Sequence, residues 1–436
     1  MRRFGLLFLL MFLEFAIWGA WLPVAGTYFQ GQSPTGLGLN GIQMGVLFAL
    51  MPACSIFMSP LFGQLADRVV NSEKLLATLH LLSAFALFGL SRQTTFAGTF
   101  TFLLIHCLLF SPTVALSTSV AMHHIDDATK QFANIRVAGT VGWMLSNWTL
   151  YALRTSGKIQ IAGDLFVVAA VLSAILGIVC FFLPKTPPSK SAENRFAFGK
   201  AFGLMKDPNF MMLMIVSLVI CTQFDFFYMF TPGYLTAPTQ ATLARVLPES
   251  YLQAGGFGLG VRPNQVSLYM SLAQISEVIL MLCLPFLLKR LGFRWTIFLG
   301  VVAWCVRFSV YVFFPSLIAI SLSILLHGFC FACFLAAGSI YVAKVAPADI
   351  RASAQALYFL VTFGFGRFFG AILGGYIENI NTVRLPVQIS VPGSETLEKL
   401  VNWQAVFAVP TGITFACVLM FPFLFRLKKD ELELNP

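Results

Sequence analysis

A glutamine and a carboxylate, Gln274 and Glu277, lie near the middle of an otherwise apolar run at residues 267–288. At about 1.5 Å per residue, a helix of this length can cross a bilayer. Residues three positions apart share one face of a helix, so the amide and the carboxylate lie side by side. A carboxylate at hydrocarbon depth is destabilising unless it meets water, a partner or a ligand. The pair therefore predicts that this helix lines a polar path or site inside a membrane.

The long apolar runs also contain the charged residues Glu14, Arg136, Asp225 and Arg367, among others. Burial and a neighbouring arginine act in opposite directions on the pKa of a carboxylate, so such a group can exchange a proton with its surroundings. We expect Glu277 or Glu14 to carry such a proton, with Asp225 as a third candidate. The alternative for Asp225 is a fixed ion pair with Arg367 that only holds one conformation.

The composition indicates what kind of protein must position these groups. The chain has 436 residues, of which 58% are hydrophobic and 11% are charged, and its mean hydropathy is +0.82. A soluble globular domain is about half apolar and about a quarter charged, so an integral membrane protein is indicated. The net charge of +10 does not predict nucleic-acid binding, because the basic residues form short clusters between apolar runs and act as topology signals. The nine cysteines lie almost all in apolar runs, so no disulfide framework, metal site or cofactor is predicted.

Apolar runs long enough to span a bilayer as helices recur along the whole chain. They lie at residues 4–29, 41–63, 75–91, 96–122, 133–154, 161–183, 209–232, 264–288, 295–314, 316–343, 350–377 and 403–426, which predicts twelve crossings. A stretch rich in Pro, Ser and Lys, residues 184–208, separates two six-helix halves at residues 1–183 and 209–436. Lys and Arg concentrate in the loops on the side that holds this stretch and both termini, which predicts that this side is cytoplasmic. The predicted fold class is an all-α membrane protein with two pseudo-symmetric halves.

Charged residues at the ends of predicted helices occur at similar positions in the two halves. Arg136 opens the fifth predicted crossing and Arg351 opens the eleventh, as two six-helix repeats would give. After the second crossing, Asp67 and Arg68 follow a glycine and are expected to latch two helices on the cytoplasmic side. The residues expected to serve gating or structure rather than substrate binding are Gly63, Asp67, Arg68, Arg351 and Arg367.

The loop motif Gly63-x-x-x-Asp67-Arg68, with Lys74 six residues later, resembles the loop shared by the major facilitator superfamily. Within that superfamily, the chain resembles the nucleoside:proton symporter family. The segments that carry this resemblance are Trp18-Gly-Ala-Trp21-Leu22, Ile135-Arg-Val-Ala-Gly-Thr140-Val-Gly142, Gln274-Ile-Ser-Glu277, Ala303-Trp-Cys-Val-Arg307-Phe308 and Ile350-Arg-Ala-Ser-Ala-Gln355. Because these segments are spread over both halves, the resemblance covers essentially the whole chain.

The resemblance implies a central cavity between the two halves and secondary active transport of a nucleoside with protons. Nucleoside contacts of the family fall on positions that match Arg136, Thr140, Gln274 and Glu277 in this chain. An amide and a carboxylate can bind ribose hydroxyls or base edges, and a guanidinium supplies directed donors. Among the aromatic residues that can stack on a base, Tyr228 and Phe331 are further candidates.

The chain also differs from the family at several acidic and amide positions. Asp225 replaces an amide of the seventh predicted helix, and Ala332 replaces an acidic residue of the tenth. Glu14 stands where an amide is common, and Arg367 stands where a small neutral residue is expected. The acidic functions therefore occupy different helices in this chain.

The predicted function is proton-coupled nucleoside uptake across a bacterial inner membrane, by a monomer that contacts its substrate, protons and lipid. A symporter for another polar metabolite, such as a sugar or a modified nucleoside, is the alternative within the same class. An integral-membrane enzyme would need a catalytic cluster, and residues 123–127, His-His-Ile-Asp-Asp, offer the only candidate and lack a nucleophile. This loop is not expected to bind a metal. Arg307 is expected in the lipid-side layer, where it snorkels or pairs.

Overall fold

The computed structural model is largely helical over the residues that it describes. These are residues 2–31, 36–125, 133–157, 163–188, 201–249, 251, 256–347, 350–389 and 397–425. Within them, nine helices are long and apolar enough to cross a membrane, judged by length and composition. Contacts divide the chain into two compact units, which we call the N-unit (Met1–Glu193 with Arg262–Leu268) and the C-unit (Asn194–Val261 with Tyr269–Pro436).

The N-unit is built from helices whose ends follow local sequence signals. Its helices are α1 (Arg2–Gln30), α2 (Gly41–Arg68), α3 (Ser72–Leu90), α4 (Phe96–Phe110), α5 (Thr113–His123), α6 (Ala133–Thr155) and α7 (Asp164–Cys180). Asn40 caps α2 by accepting a hydrogen bond from the Gln43 backbone N–H at 2.9 Å, while its own N–H donates to Gln43 Oε1 at 3.1 Å. Helices α4 and α5 form one apolar span that is interrupted at Pro112, where proline removes a backbone donor.

Two glycines allow α1 and α6 to pack closely. A Cβ atom added to Gly19 of α1 would lie 2.6 Å from the Trp143 Cα atom of α6. A Cβ atom added to Gly142 of α6 would likewise overlap the Phe12 carbonyl of α1. Small residues permit this kind of backbone approach between membrane helices. The contact fixes the two helices that carry the predicted site residues of the N-unit.

The C-unit contains the longest helix in the described part of the chain, and this helix is bent. Its helices are α8 (Pro208–Cys221), α9 (Phe224–Thr236), α10 (Gln240–Leu243), α11 (Val266–Phe313, whose first residues belong to the N-unit), α12 (Leu317–Leu325), α13 (Ala337–Val345), α14 (Arg351–Phe359), α15 (Arg367–Ile380) and α16 (Trp403–Leu424). A short 3₁₀ segment lies at Gly203–Lys206 of this unit, and another, Pro263–Gln265, belongs to the N-unit and precedes α11. Gly292 breaks α11 with a φ of 71°, a conformation that glycine adopts without strain. The helix therefore has two arms, residues 266–291 and 293–313.

Two π-helical segments interrupt successive helices of the C-unit. Phe329–Ala336 leads into α13, and Leu360–Gly366 lies between α14 and α15. A π-helical turn inserts an extra residue into an α-helix and is frequent at functional sites. Phe331 lies inside the first segment, and Arg367 directly follows the second.

A two-stranded antiparallel sheet follows α15, with β1 (Thr382–Ile389) paired to β2 (Leu397–Val401). The prediction of an all-α chain is therefore wrong for this segment. Beyond the end of α15 the backbone still needs hydrogen-bond partners, and pairing of two short strands supplies them. Leu400 of β2 is buried with Leu243 and Leu247, so the sheet packs against the segment around α10.

The nine spans differ from the twelve predicted crossings in three places. Helix α7 has only 17 residues, and α6 is not among the nine. The bent α11 counts within a single segment of 51 residues, Pro263–Phe313. The predicted linker at residues 184–208 is described only in part, because residues 189–200 lie outside the described ranges.

Candidate substrate and proton site

The Gln274–Glu277 pair of α11 contacts α9 within the C-unit. Gln274 Nε2 donates a hydrogen bond to Tyr228 Oη at a distance of 3.5 Å. Gln274 and Tyr228 are buried, whereas the Glu277 side chain is 13% exposed. The amide is therefore held by a neighbouring helix, while the carboxylate one turn away keeps some free surface.

His327 connects Glu277 to a buried arginine. Its Nε2 atom lies 3.8 Å from Glu277 Oε2, and its Nδ1 atom lies 3.1 Å from Arg307 Nη1. A guanidinium can only donate, so Nδ1 accepts this hydrogen bond, and the proton of the neutral ring is assigned to Nε2. The imidazole thus directs an N–H toward the Glu277 carboxylate.

Arg307 is fully buried, and the expectation that it snorkels from a lipid-side layer is wrong. Its guanidinium carbon lies 3.6 Å from the centre of the Phe227 ring and 5.3 Å from that of Trp304. These cation–π contacts and the bond to His327 stabilise a charge that would otherwise be costly inside the unit. The second arrangement expected from the sequence, in which Arg307 pairs with another residue, is the one in the structure, and the partner is His327.

Aromatic rings surround the same histidine. Phe227 stacks on His327 with ring centres 5.5 Å apart and an interplanar angle of 24°. Phe331 lies on the same imidazole at 6.4 Å, and the Tyr228 ring meets it edge-on at 6.2 Å. Four predicted substrate residues are therefore brought together around His327, namely Tyr228, Gln274, Glu277 and Phe331. We call these residues, with His327 and Arg307, the His327 cluster.

Asp225 and Arg367 form a buried ion pair between α9 and α15. Arg367 Nη2 donates to Asp225 Oδ1 at 2.6 Å, and Arg367 Nε donates to Asp225 Oδ2 at 3.1 Å. The two side chains are 0% and 4% exposed. The Arg367 guanidinium also lies 4.8 Å from the Phe224 ring centre. This is the ion pair that the sequence left open as the alternative to a proton role for Asp225.

Glu14 is enclosed by other helices of the N-unit. Its Oε2 atom lies 3.0 Å from His80 Nε2 of α3, and both side chains have no exposed surface. From α5, Thr113 Oγ1 donates to Glu14 Oε1 at 2.6 Å and Ser117 Oγ donates to Oε2 at 2.8 Å. An imidazole nitrogen and two hydroxyls thus converge on one carboxylate.

Arg136 and Thr140 lie one helical turn apart on α6, which places them on a common face. The Arg136 guanidinium carbon lies 4.0 Å from the centre of the Phe15 ring of α1. Both Arg136 and Thr140 are half-buried. They retain surface through which a ligand can be contacted.

The predicted gating residues lie at helix ends. Asp67 and Arg68 are exposed in the last turn of α2, and Arg351 is exposed at the first position of α14. Over the described ranges, neither an ion pair nor a side-chain hydrogen bond is formed by these three residues. A Cβ atom added to Gly63 would meet nothing within 4 Å. The latch therefore stays a prediction.

The His-rich loop is only partly described, since Asp126 and Asp127 lie outside the described residues. His124 Nδ1 lies 2.8 Å from Arg3 Nη2, and His124 Nε2 lies 2.8 Å from Thr186 Oγ1. These contacts join the start of α1 to the segment after α7. In the part of the chain that the structure describes, no group of three or more His, Cys, Asp or Glu residues is arranged to hold a metal ion.

Sequence reasoning missed the two histidines that contact the predicted acids. Both His80 and His327 are buried in apolar helices. His80 is far from Glu14 along the chain, and His327 is brought to Arg307 by the fold. A single histidine inside an apolar run was the one available signal, because such a polar group needs a partner in a membrane interior.

Comparisons with known proteins extend over nearly the whole chain. The family model for nucleoside H+ symporters matches residues 1–430. The YegT protein of Escherichia coli (strain K12) is 29% identical over 444 residues, which cover 99% of this chain and 96% of YegT. The nucleoside permease NupG of the same organism is 26% identical over 433 residues, which cover 96% of this chain and 95% of NupG.

The fold agrees with this match. A crystal structure of the nucleoside transporter NupG superposes with a TM-score of 0.78 at 26% identity, covering 98% of this chain and 100% of that chain. The matched family and structure are those of transporters, so the prediction that the chain is not an enzyme is confirmed. The chain belongs to the nucleoside:proton symporter family of the major facilitator superfamily.

Proposed function

We propose that this chain imports nucleosides together with protons by alternating access, and that the His327 cluster of the C-unit binds the nucleoside. One observation carries the proposal. A hydrogen-bonding amide, a partly exposed carboxylate and a phenol meet aromatic rings around one histidine, and a buried arginine lies behind that histidine. A nucleoside needs this combination, since it presents hydroxyls, a polar base edge and a flat aromatic face.

Each group has a distinct task in this proposal. Glu277 accepts hydrogen bonds from ribose hydroxyls, and Gln274 both donates to and accepts from a base edge or a hydroxyl. Phe331 and Tyr228 offer ring surface to the base, a contact that contributes about 1–3 kcal/mol per base. His327 faces Glu277 Oε2 with its Nε2–H at a distance of 3.8 Å, and Arg307 fixes the tautomer of His327.

Arg136 and Thr140 are proposed as nucleoside ligands on the N-unit. Their common face on α6 offers a fork of guanidinium donors and a hydroxyl that can donate or accept. The Phe15 ring holds the Arg136 guanidinium in place. Directed donors of this kind suit the oxygen atoms of a ribose or a base.

Glu277 is the proposed proton carrier of the His327 cluster. A proton on Glu277 cancels its charge beside the His327 and Arg307 pair, and it also changes which hydrogen bonds the carboxyl can offer to a hydroxyl. Proton binding and nucleoside binding at one group are therefore coupled. Glu14 of the N-unit is the second candidate.

The remaining charged residues are proposed to hold or change the conformation. The proposed gating residues at helix ends are Gly63, Asp67, Arg68 and Arg351. Arg367 is proposed to be structural, because its three hydrogen bonds to Asp225 tie α15 to α9. This ion pair makes Asp225 the weakest of the three candidates for the proton.

The proposed topology has twelve crossings in two six-helix halves, residues 1–183 and 209–436, joined by a cytoplasmic linker at residues 184–208. The nine apolar spans support it, since the bend at Gly292 divides one span into two arms and α6 and α7 supply two further crossings. Both termini are proposed to be cytoplasmic in a bacterial inner membrane, because Lys and Arg concentrate on that side. A monomer is the proposed working unit.

Purified protein in liposomes tests the function and the role of Glu277. We expect counterflow of at least one tritiated nucleoside from a panel of nucleosides and sugars, and accumulation of that nucleoside when the outside is made acidic. Glu277→Gln is expected to lose the accumulation driven by the pH gradient. Glu249→Gln is the matched control, because Glu249 is an exposed carboxylate of the same unit outside the nine spans.

The outcomes separate the alternatives. Counterflow of a sugar without any nucleoside would establish the alternative substrate class. Accumulation by Glu277→Gln at the wild-type level would show that Glu277 is not the proton carrier, whatever the substrate is.

A further inference from the structure

A second titratable cluster lies inside the N-unit. It consists of Glu14 on α1, His80 and Ser83 on α3, and His106 on α4. His106 Nδ1 lies 2.8 Å from Ser83 Oγ, one turn along α3 from His80. Both histidines are fully buried and contact the same Phe110 ring, with ring centres 6.1 Å away for His80 and 5.2 Å away for His106.

The hydroxyls around Glu14 can serve either protonation state of the carboxyl. Thr113 Oγ1 lies 2.6 Å from Glu14 Oε1 and 2.7 Å from the Phe110 carbonyl oxygen. Ser117 Oγ lies 2.8 Å from Glu14 Oε2 and 2.7 Å from the Thr113 carbonyl oxygen. A hydroxyl has one proton to donate and lone pairs to accept with. Each can therefore donate to an ionised Glu14, or turn its proton to the backbone carbonyl and accept from a protonated Glu14.

This arrangement differs from that of a fixed ion pair. The guanidinium partner of Asp225 can only donate, so that pair suits one charge state of the carboxyl. At Glu14 the partners are an imidazole and two hydroxyls, each of which can donate or accept. Gain or loss of a proton by Glu14 can then be met by the two hydroxyls and by His80 Nε2, which can donate to or accept from the carboxyl.

In the described part of the chain, each of the two histidines has one ring nitrogen with a hydrogen-bond partner and one without. Over the described residues, His80 Nδ1 and His106 Nε2 are buried and form no hydrogen bond. A buried histidine that only serves packing is expected to satisfy its polar atoms, since an unsatisfied one costs about 1–3 kcal/mol. These two nitrogens, both beside the Phe110 ring, are therefore available to bind or release a proton.

Among the described residues, few titratable groups lie near Glu14. On α3 the group is His80, and beyond it on α4 is His106. Cys180 of α7 is close enough to interact electrostatically with the carboxylate. Helix α5 contributes only the two hydroxyls, and Arg136 of α6 is held on the neighbouring Phe15 ring.

We propose that Glu14 and His80 form a proton-binding site of the transport cycle, and that His106 with Ser83 passes the proton between this site and the end of the N-unit that connects α3 to α4. The direction follows from α3, along which Ser83 lies about 4.5 Å closer to that connection than His80 does. The donor or acceptor at the far end is water. The inference deepens the proposed proton-coupled uptake and rests on it.

The test compares two transport modes of the same proteoliposomes. Counterflow of a tritiated nucleoside needs no net proton movement. Nucleoside-driven acidification of the lumen does need net proton movement, and it is followed with an entrapped pH-sensitive dye. For His80→Gln, Glu14→Gln and His106→Gln we expect counterflow to be retained and lumenal acidification to fall by at least about tenfold, as for loss of a proton-transfer group. His123→Gln is the matched control, because His123 is an exposed histidine of the same unit.

Difference infrared spectroscopy of the purified protein gives a second readout that does not depend on transport. We expect a protonated-carboxyl band that changes with pH in the wild type and is missing in Glu14→Gln. Wild-type acidification by His80→Gln and Glu14→Gln, or the absence of such a band, would overturn the inference. Absence of nucleoside counterflow in the wild type would instead refute the proposed function, while the infrared band would still decide whether Glu14 binds a proton.

Discussion

The buried Asp225–Arg367 pair allows a sharp prediction about stability. Both side chains are nearly inaccessible, and three hydrogen bonds of 2.6, 3.1 and 3.2 Å join them. Removing one partner of such a pair leaves an uncompensated buried charge and costs about 3–5 kcal/mol of unfolding free energy. Arg367→Met is expected to cost this much, whereas the double variant with Asp225→Leu is expected to recover at least half of the loss, because two apolar residues leave no charge behind.

A second ion pair of the same geometry supplies the control. Arg154 Nη2 and Asp164 Oδ1 are also 2.6 Å apart, but the Arg154 side chain is 21% exposed. Arg154→Met is therefore expected to cost less than Arg367→Met, because water that reaches the partly exposed Arg154 position can take the place of the guanidinium beside Asp164. Reversible unfolding in mixed detergent micelles measures all three variants. Equal losses for Arg367→Met and Arg154→Met, or a double variant no more stable than Arg367→Met, would refute the reasoning from burial.

Two further predictions concern histidines. His327→Leu removes the N–H that faces Glu277. This variant is expected to bind the nucleoside about tenfold more weakly, which corresponds to about 1.4 kcal/mol. Phe359→Leu is the control, because Phe359 is an exposed aromatic residue of the same unit. Unchanged half-saturation in counterflow would argue against an orienting role. For His124, burial and the nearby charge of Arg3 lower the pKa below its ordinary value of 6.5. Above pH 6.5, protonation of His124 does not reduce the free energy of unfolding. As the pH falls from 6.5 through the lowered pKa, the free energy of unfolding decreases, because the unfolded chain binds the proton first. The unfolding temperature of the wild type should fall more than that of His124→Gln between about pH 8 and about pH 5, and parallel curves would contradict this.

The sequence predicted those parts of the site that depend on spacing within one helix. Gln274 and Glu277 share a face because three residues nearly complete a turn, and the same argument places Arg136 beside Thr140. Apolar runs also predicted most of the spans, since a membrane helix must be apolar over about twenty residues. Tyr228 and Phe331 were predicted only as aromatic residues that can stack on a base, and the structure brings both to His327.

Contacts between distant helices could not be predicted in this way. Glu14 and His80 are 66 residues apart, and no periodicity links a residue of α1 to one of α3. Arg307 was misjudged because its helix was treated as an outer one, whereas Phe227 and His327 cover its charge from other helices. The hairpin near Val383 was missed because short strands carry a weak signal beside long apolar helices.

The π-helical segment Leu360–Gly366 has a consequence for the register of the helix that follows it. One additional residue in a helix turns everything beyond it by about 100° around the axis. Arg367 is the first residue beyond this segment, so the direction in which its guanidinium leaves α15 depends on that extra residue. Deleting one residue between positions 360 and 366 would leave the composition of the helix almost unchanged and yet aim the arginine away from Asp225. Backbone winding, and not only the choice of side chain, therefore decides whether this buried charge has its counter-charge.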